Sequence, residues 1–261
     1  MKKISRLDYA FAVGRVRALE KYLVSRDVFG EAVEAVNFSN AIKLVFDAGR
    51  FPEDLINISN SEELDDFLSQ EEIALKAEIA ELLFEIELLD LVSEDGRPDQ
   101  TLPVVQKTGY PYFIDYVKHR IDLGNLKIMV RLKYAGNPSD KFGSSMMKGG
   151  FLEETTLLNS FELSYAEIGE RLHASPYREL WDNAVEKLEE RESFVALERA
   201  MEDFLMRHLR KARYIVFGPE PVIAYGLARK RELNNIRILG VGKLNRIPLD
   251  ILKERLGDTY V

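Results

Sequence analysis

Apolar residues recur at three- and four-residue spacing along most of this chain, the pattern of amphipathic helices. No convincing two-residue alternation appears; the β-prone run at 214–217 (YIVF) is short and isolated. Residues 4–25 read as one helix with a stripe of Leu7, Phe11, Val16, Leu19 and Leu23. Shorter helices follow at 27–36 and 40–48, the second stopped by Gly49, with further helical turns at 53–57 and 62–69. Residues 71–92 carry Leu75, Ile79, Leu82, Ile86 and Leu89 on one face, and Leu83, Leu88 and Leu91 widen it. A helix so apolar is expected to be buried on more than one side. Gly, Pro and Asp mark 93–103 as a loop, and 137–150 (NPSDKFGSSMMKGG) as an exposed loop pinned by Met146 and Met147. Short helices are expected at 153–160 and 165–173, and a helical region at 176–215 with a bend near Ser193. A last helix is expected at 249–256.

Two long helical stretches stand apart. Residues 111–133 (PYFIDYVKHRIDLGNLKIMVRLK) and 221–243 (PVIAYGLARKRELNNIRILGVGK) superimpose without a gap, 110 residues apart, and each opens at a proline suited to a first helical turn. The later stretch carries an apolar stripe at Leu227, Leu233, Ile236 and Leu239 and a basic, polar side at Arg229, Lys230, Arg231 and Arg237. A further step of 110 back reaches a worn copy at the N-terminus. Apolar slots align as Leu7/Val117/Leu227, Val13/Leu123/Leu233, Val16/Leu126/Ile236 and Leu19/Met129/Leu239, and a basic slot as Arg17/Lys127/Arg237. Solenoid repeats span about 20–50 residues. The longer period predicts instead an all-α chain of three similar helical subdomains, packed around a pseudo-threefold axis. The pseudo-repeats are expected at 1–105, 106–215 and 216–261 of one 261-residue fold, the last packing with the N-terminal segment.

Composition narrows the function. With no cysteine, disulfides, thiol nucleophiles and Cys-ligated metals are excluded. Asp8 and Arg15 interrupt any secretory apolar core, and no window approaches a membrane span of about 18 apolar residues. The chain is therefore expected to be soluble, or to sit on a membrane only through a partner. The net charge of −8 argues against nucleic acid. That charge is uneven: 62–99 holds fourteen acidic residues against Lys76 and Arg97, and 207–243 holds nine basic residues against Glu220 and Glu232. Solvated helix faces explain both clusters. So does a polarised surface between two unlike partners.

The candidate chemistry is thin. GVGKL at 240–244 resembles the end of a phosphate-binding P-loop, but Arg237 stands where the first glycine belongs and Leu244 where Ser or Thr belongs. His119, His173 and His208 share no ligand spacing, and His208 reads as a core histidine. No carboxylate pair is placed across a cleft, so no catalytic, metal or cofactor residue is assigned. Asn125 and Asn235 occupy the same slot in mid-helix, where Asn is mildly unfavourable. Each is either a solvent-facing or backbone-bonded residue, or a repeated inter-helix hydrogen bond near the axis.

At 217–256 the chain resembles the C-subunit family of prokaryotic V-type (A-type) rotary ATPases and ATP synthases, whose vacuolar counterpart is the d subunit. The resemblance rests on the Gly218-Pro-x-Pro turn, Ala224-Tyr-x-Leu-Ala-Arg, Glu232-x-x-Asn-Ile-Arg and Gly242-Lys-Leu-Asn. Tyr9-Ala, Arg15-Val-Arg-Ala-x-Glu, Asn125-Leu-Lys and Gly149-Gly-Phe-Leu extend it over most of the chain, with 50–105 matching least. The resemblance implies an all-α, funnel-shaped, non-catalytic rotor part of the central stalk, without a cofactor. It would link the shaft made by the D and F subunits to the membrane proteolipid (c/K) ring and transmit torque for ATP-coupled H+ or Na+ transport. It would lie on the cytoplasmic face of the membrane, one copy per complex, with the stator (a/I) nearby, and be monomeric in isolation. Arg17, Asn125, Lys127, Asn235 and Arg237 are the expected partner-interface residues, facing a central cavity; pairing with the acidic 62–99 segment is the other arrangement weighed. The rival function is a free-standing helical scaffold. A helical hydrolase built on a carboxylate cluster has no supporting constellation.

Overall fold

A computed structural model describes residues 4–93, 96–191 and 193–261. Among these residues the fold is all-α, with fifteen α-helices, four short 3-10 turns and no strand. The chain divides into two compact units, one of residues 1–93 and 206–261 and the other of residues 94–205.

The first unit begins with a 3-10 turn, Arg6–Tyr9, then α1 (Ala10–Leu19) and a second 3-10 turn, Glu20–Tyr22. The expected single helix over 4–25 is thus split, and Leu7 and Phe11 of its stripe are exposed. Next come α2 (Arg26–Glu34), α3 (Phe38–Ala48), α4 (Asp54–Asn57), α5 (Ser61–Leu82) and α6 (Leu89–Ser93). Side-chain caps set three of the starts: Ser25, Asn37 and Asn60 accept from the backbone N–H three residues on. Asn60 moves the start of α5 well ahead of the expected residue 71. The expected helix also ends early, at Leu82. There the Tyr9 hydroxyl accepts from the Phe84 and Glu85 N–H groups at 3.1 and 3.4 Å and removes them from the helical ladder.

The second unit contains α7 (Pro98–Thr108), α8 (Pro111–Tyr134), α9 (Ser139–Ser145), α10 (Glu154–Ser160), α11 (Tyr165–Arg171), α12 (Arg178–Arg191) and most of α13 (Val195–Arg210). Both expected loops carry helices. Pro98 sits at the first turn of α7, and Pro103, one turn further, forfeits a single intrahelical bond. Pro138 precedes α9, inside the supposed 137–150 loop. The bend near Ser193 is a break between α12 and α13. Leu126, Met129 and Val130 of α8 pack with Phe142, Leu157, Phe161, Ile168 and Trp181 in the core of this unit.

The chain returns to the first unit with α14 (Glu220–Leu244) and α15 (Leu249–Arg255). α14 is the axis of its unit and packs against α1, α2, α3, α5, α6 and α15. Leu233, Ile236 and Leu239 meet Ile42, Val45, Leu64 and Leu68. Burial continues around nearly the whole helix, so the basic side expected for this stretch is not a free face. Arg229 is buried, and Lys230 donates to the carbonyls of Val92 and Ser93 at 3.2 and 2.7 Å. No helix among the described residues is long and apolar enough to cross a membrane.

Candidate functional site

The two long helices carry the same polar device. In α8, Asn125 donates to the Met147 carbonyl and accepts from the Met147 N–H, both at 2.8 Å. In α14, Asn235 donates to the Gly257 carbonyl at 3.3 Å and accepts from the Gly257 N–H at 3.4 Å. Each buried asparagine therefore holds both backbone groups of a residue 22 positions further along. The intervening chain matches too. α9 and α15 are in register with each other at a spacing of 110, as are α8 and α14. A left-handed residue follows each long helix, Gly136 at φ 65° and Arg246 at φ 55°. The N–H of Asn137 and of Ile247 then closes onto the carbonyl five residues back, each at 2.9 Å.

A buried carboxylate lies one turn before each asparagine. Asp122 accepts from the Phe151 and Leu152 N–H groups at 2.9 and 3.2 Å and from the Tyr177 hydroxyl at 2.8 Å. His119 Nδ1 lies 2.7 Å from that same hydroxyl. Glu232 accepts from the Val24 N–H at 2.5 Å and from Arg229, at the position matching His119. Arg229 also reaches Glu71 at 3.2 Å and the Arg50 carbonyl at 2.8 Å, beneath the Phe51 ring at 4.1 Å. Burial pushes the pKa of Asp122 and of Glu232 above the ordinary carboxylate value, opposed in Asp122 by Tyr177 and in Glu232 by Arg229. Asp122 is not among the residues expected from sequence, although a signal for it exists: an acid–x–x–Asn step occurs at 122–125 and again at 232–235.

The basic slot is engaged internally. Arg17 pairs with Glu20 at 2.6 Å and donates to the carbonyls of Ala212 and Ile215 at 2.7 and 3.1 Å. Lys127 meets Glu198 at 2.9 Å, shared with Arg131; burial raises the pKa of Glu198, and the two cations outweigh that and hold it low. Arg237 pairs with Asp65 at 3.3 Å and Glu72 at 3.5 Å, both within the acidic 62–99 segment. In the same segment Glu71 meets Arg229, and Glu78 meets Arg15 and Arg50. Part of the charge division seen in sequence is thus spent within one unit. Among the described residues the N-terminal copy shows no such asparagine clamp: α1 ends at Leu19, and Arg15, at the asparagine position, is exposed beside Glu78.

The remaining chemistry is structural. Lys243 of GVGKL donates to the carbonyls of Val33 and Ala35, both at 2.5 Å, at the end of α2. Lys133, its counterpart, donates to the Phe161 carbonyl after α10. Gly240 and Gly242 are close-packing positions, where an added Cβ would run into Leu64 and Leu252. No group of His, Asp and Glu able to hold a metal occurs among the described residues. A cavity of about 380 Å³ lies in the first unit between Tyr22, Phe51, Leu75 and Tyr225. Burial raises the Tyr225 hydroxyl to about 12, so it stays protonated.

Known proteins are similar to this chain in sequence. A sequence model of the ATP synthase (C/AC39) subunit family matches residues 52–255, which takes in both clamps except the Gly257 end of the second. The C subunit of the V-type sodium ATPase of Enterococcus hirae is 28% identical over 155 residues, 59% of this chain and 47% of that protein. The C subunit of the A-type ATP synthase of Halobacterium salinarum is 26% identical over 151 residues, 58% and 43% of the two chains. That of Archaeoglobus fulgidus is 26% identical over 145 residues, 55% and 41%. The matched stretch thus spans less than half the length of each of these relatives.

Proposed function

The chain belongs to the ATP synthase (C/AC39) subunit family, and from that premise we propose that it is a non-catalytic rotor part of a V/A-type ATPase. In this reading it joins the shaft of the D and F subunits to the proteolipid ring on the cytoplasmic face of the membrane. It carries torque between ATP turnover and H+ or Na+ movement. The observation that carries the reading is the family match across 52–255.

The geometry supplies a mechanical rationale. A torque-bearing part must resist twisting, and close-packed interiors with satisfied buried polar groups are stiff. In each clamp a long helix grips the chain beyond the next short helix by two hydrogen bonds; a buried carboxylate one turn away holds that same connection again at Phe151 and Leu152 in the first, and the Val24 segment in the second. Load on a loop is thereby passed to the body of a helix. Lys127 and Arg237, both partly exposed, are offered as the residues that meet the shaft.

Gel filtration with the isolated D and F subunits tests this. A stable complex is expected, and Lys127→Glu with Arg237→Glu should weaken it while the circular dichroism stays helical. Unchanged affinity in that double variant removes the two residues from the interface. No complex even with the unmodified chain favours the free-standing scaffold.

A further inference from the structure

The start of α1 and the segment after α13 form an apolar, basic surface that the rotor reading does not use. Arg6 donates to the Phe217 carbonyl at 2.7 Å, and Arg17 to the carbonyls of Ala212 and Ile215. These bonds tie both ends of 212–217 alongside α1. Between them Leu7 and Phe11 on one side, and Tyr214 and Val216 on the other, are 64%, 77%, 88% and 67% exposed. Single apolar residues on a surface need no explanation, but four large ones on two segments that are tied together do.

Charge identifies the occupant. From 204 to 219 the chain has no acidic residue, while Arg207, Lys211 and Arg213 are exposed. Two carboxylates beside the patch are paired with cations, and a third is engaged in a helix cap. Glu220 is held by Arg6 at 2.7 Å, Glu20 by Arg17 at 2.6 Å, and Asp8 folds back onto Ser5 at 2.7 Å. Cationic side chains flanking exposed Tyr, Phe and Val match an interface of anionic headgroups over acyl chains. A Tyr ring there is apolar in body and polar at its tip.

We propose that this surface, Leu7 and Phe11 with 211–217, rests directly on an anionic lipid surface. The contact is made by the chain's own residues and needs no partner protein. It goes beyond the rotor reading and can fail without it.

Co-sedimentation of the isolated chain with extruded vesicles tests the proposal. Vesicles of phosphatidylcholine mixed with phosphatidylglycerol should bind it, and phosphatidylcholine alone should bind it far less. Lys211→Glu with Arg213→Glu should lower the partition at least about tenfold, and added salt should weaken it. Both side chains are exposed, so that variant should keep its fold. Tyr214→Ser with Val216→Ser should lower the partition at unchanged charge. Equal partition onto both vesicle types, or an unaltered partition after the charge reversal, overturns the proposal. Binding to an acidic amphipathic peptide but not to anionic vesicles assigns the face to a protein and overturns it too.

Discussion

The helix–turn–helix of α8 and α9 and that of α14 and α15 have one backbone and two chemistries. Both place a left-handed residue after the long helix and close an asparagine onto a residue 22 positions away. Beside that asparagine they diverge. Asp122 is satisfied by neutral donors, Tyr177 and two backbone N–H groups. Glu232 is satisfied by an ion pair with Arg229. The difference teaches that the repeated element is the grip on the backbone, while the means of neutralising the buried acid is free to change.

The largest test separates the two acids. Glu232→Ala strands Arg229 with Glu71 as its remaining carboxylate. Breaking a buried pair costs about 3–5 kcal/mol, and Glu71 should keep this one near the lower end. Asp122→Ala removes hydrogen bonds from neutral donors and strands no buried cation, so it should cost about 1–3 kcal/mol. Urea unfolding of the two variants checks the order; equal losses would break the comparison.

Next come the clamps. Asn125→Ala and Asn235→Ala each abandon a buried N–H and carbonyl, about 1–3 kcal/mol. Asn125 should cost more, because its bonds are 2.8 Å against 3.3 and 3.4 Å for Asn235. A smaller effect lies in the turns. Arg246 holds a left-handed φ where the other copy has Gly136, so Arg246→Gly should gain up to about 1 kcal/mol and Gly136→Ala lose about as much. Thermal unfolding of that pair tests whether the two turns are equivalent.

The subtlest effect is in pH. The raised pKa of Asp122 means the folded chain holds its proton more tightly than the unfolded chain. That stabilisation is full below the unfolded carboxylate value and is lost as pH rises through the raised one. Wild-type stability relative to Asp122→Asn should therefore increase as pH falls from neutral into the mildly acidic range. A difference that does not change with pH would contradict the assignment.

Much of this is legible in the chain. Periodicity gives the all-α class, and the 110-residue register gives the alignment of α8 with α14. The slot shared by Asn125 and Asn235 is visible, but two asparagines in register do not name the carbonyls they hold. Element ends are less legible because distant groups decide them. α5 ends where Tyr9, some 75 residues earlier, takes the next N–H groups. The basic face of α14 misleads for a related reason: charge on a helix reads as solvent exposure unless its partners, here Glu71, Asp65 and the carbonyls of Val92 and Ser93, are known. Lys211 and Arg213 count as part of a basic cluster in sequence, but only the fold ties their segment to Arg6 and Arg17.

The proposed rotor role requires this protein to turn with the ring. The absence of cysteine makes single-site cross-linking clean. One cysteine at an exposed position such as Ile73, carrying a photoreactive linker, can be joined within the assembled ATPase to the ring or to the stator. Linkage to the ring is expected to leave ATP-driven ion pumping intact, and linkage to the stator to stop it. Pumping that survives attachment to the stator, or stops on attachment to the ring, would contradict the rotor assignment.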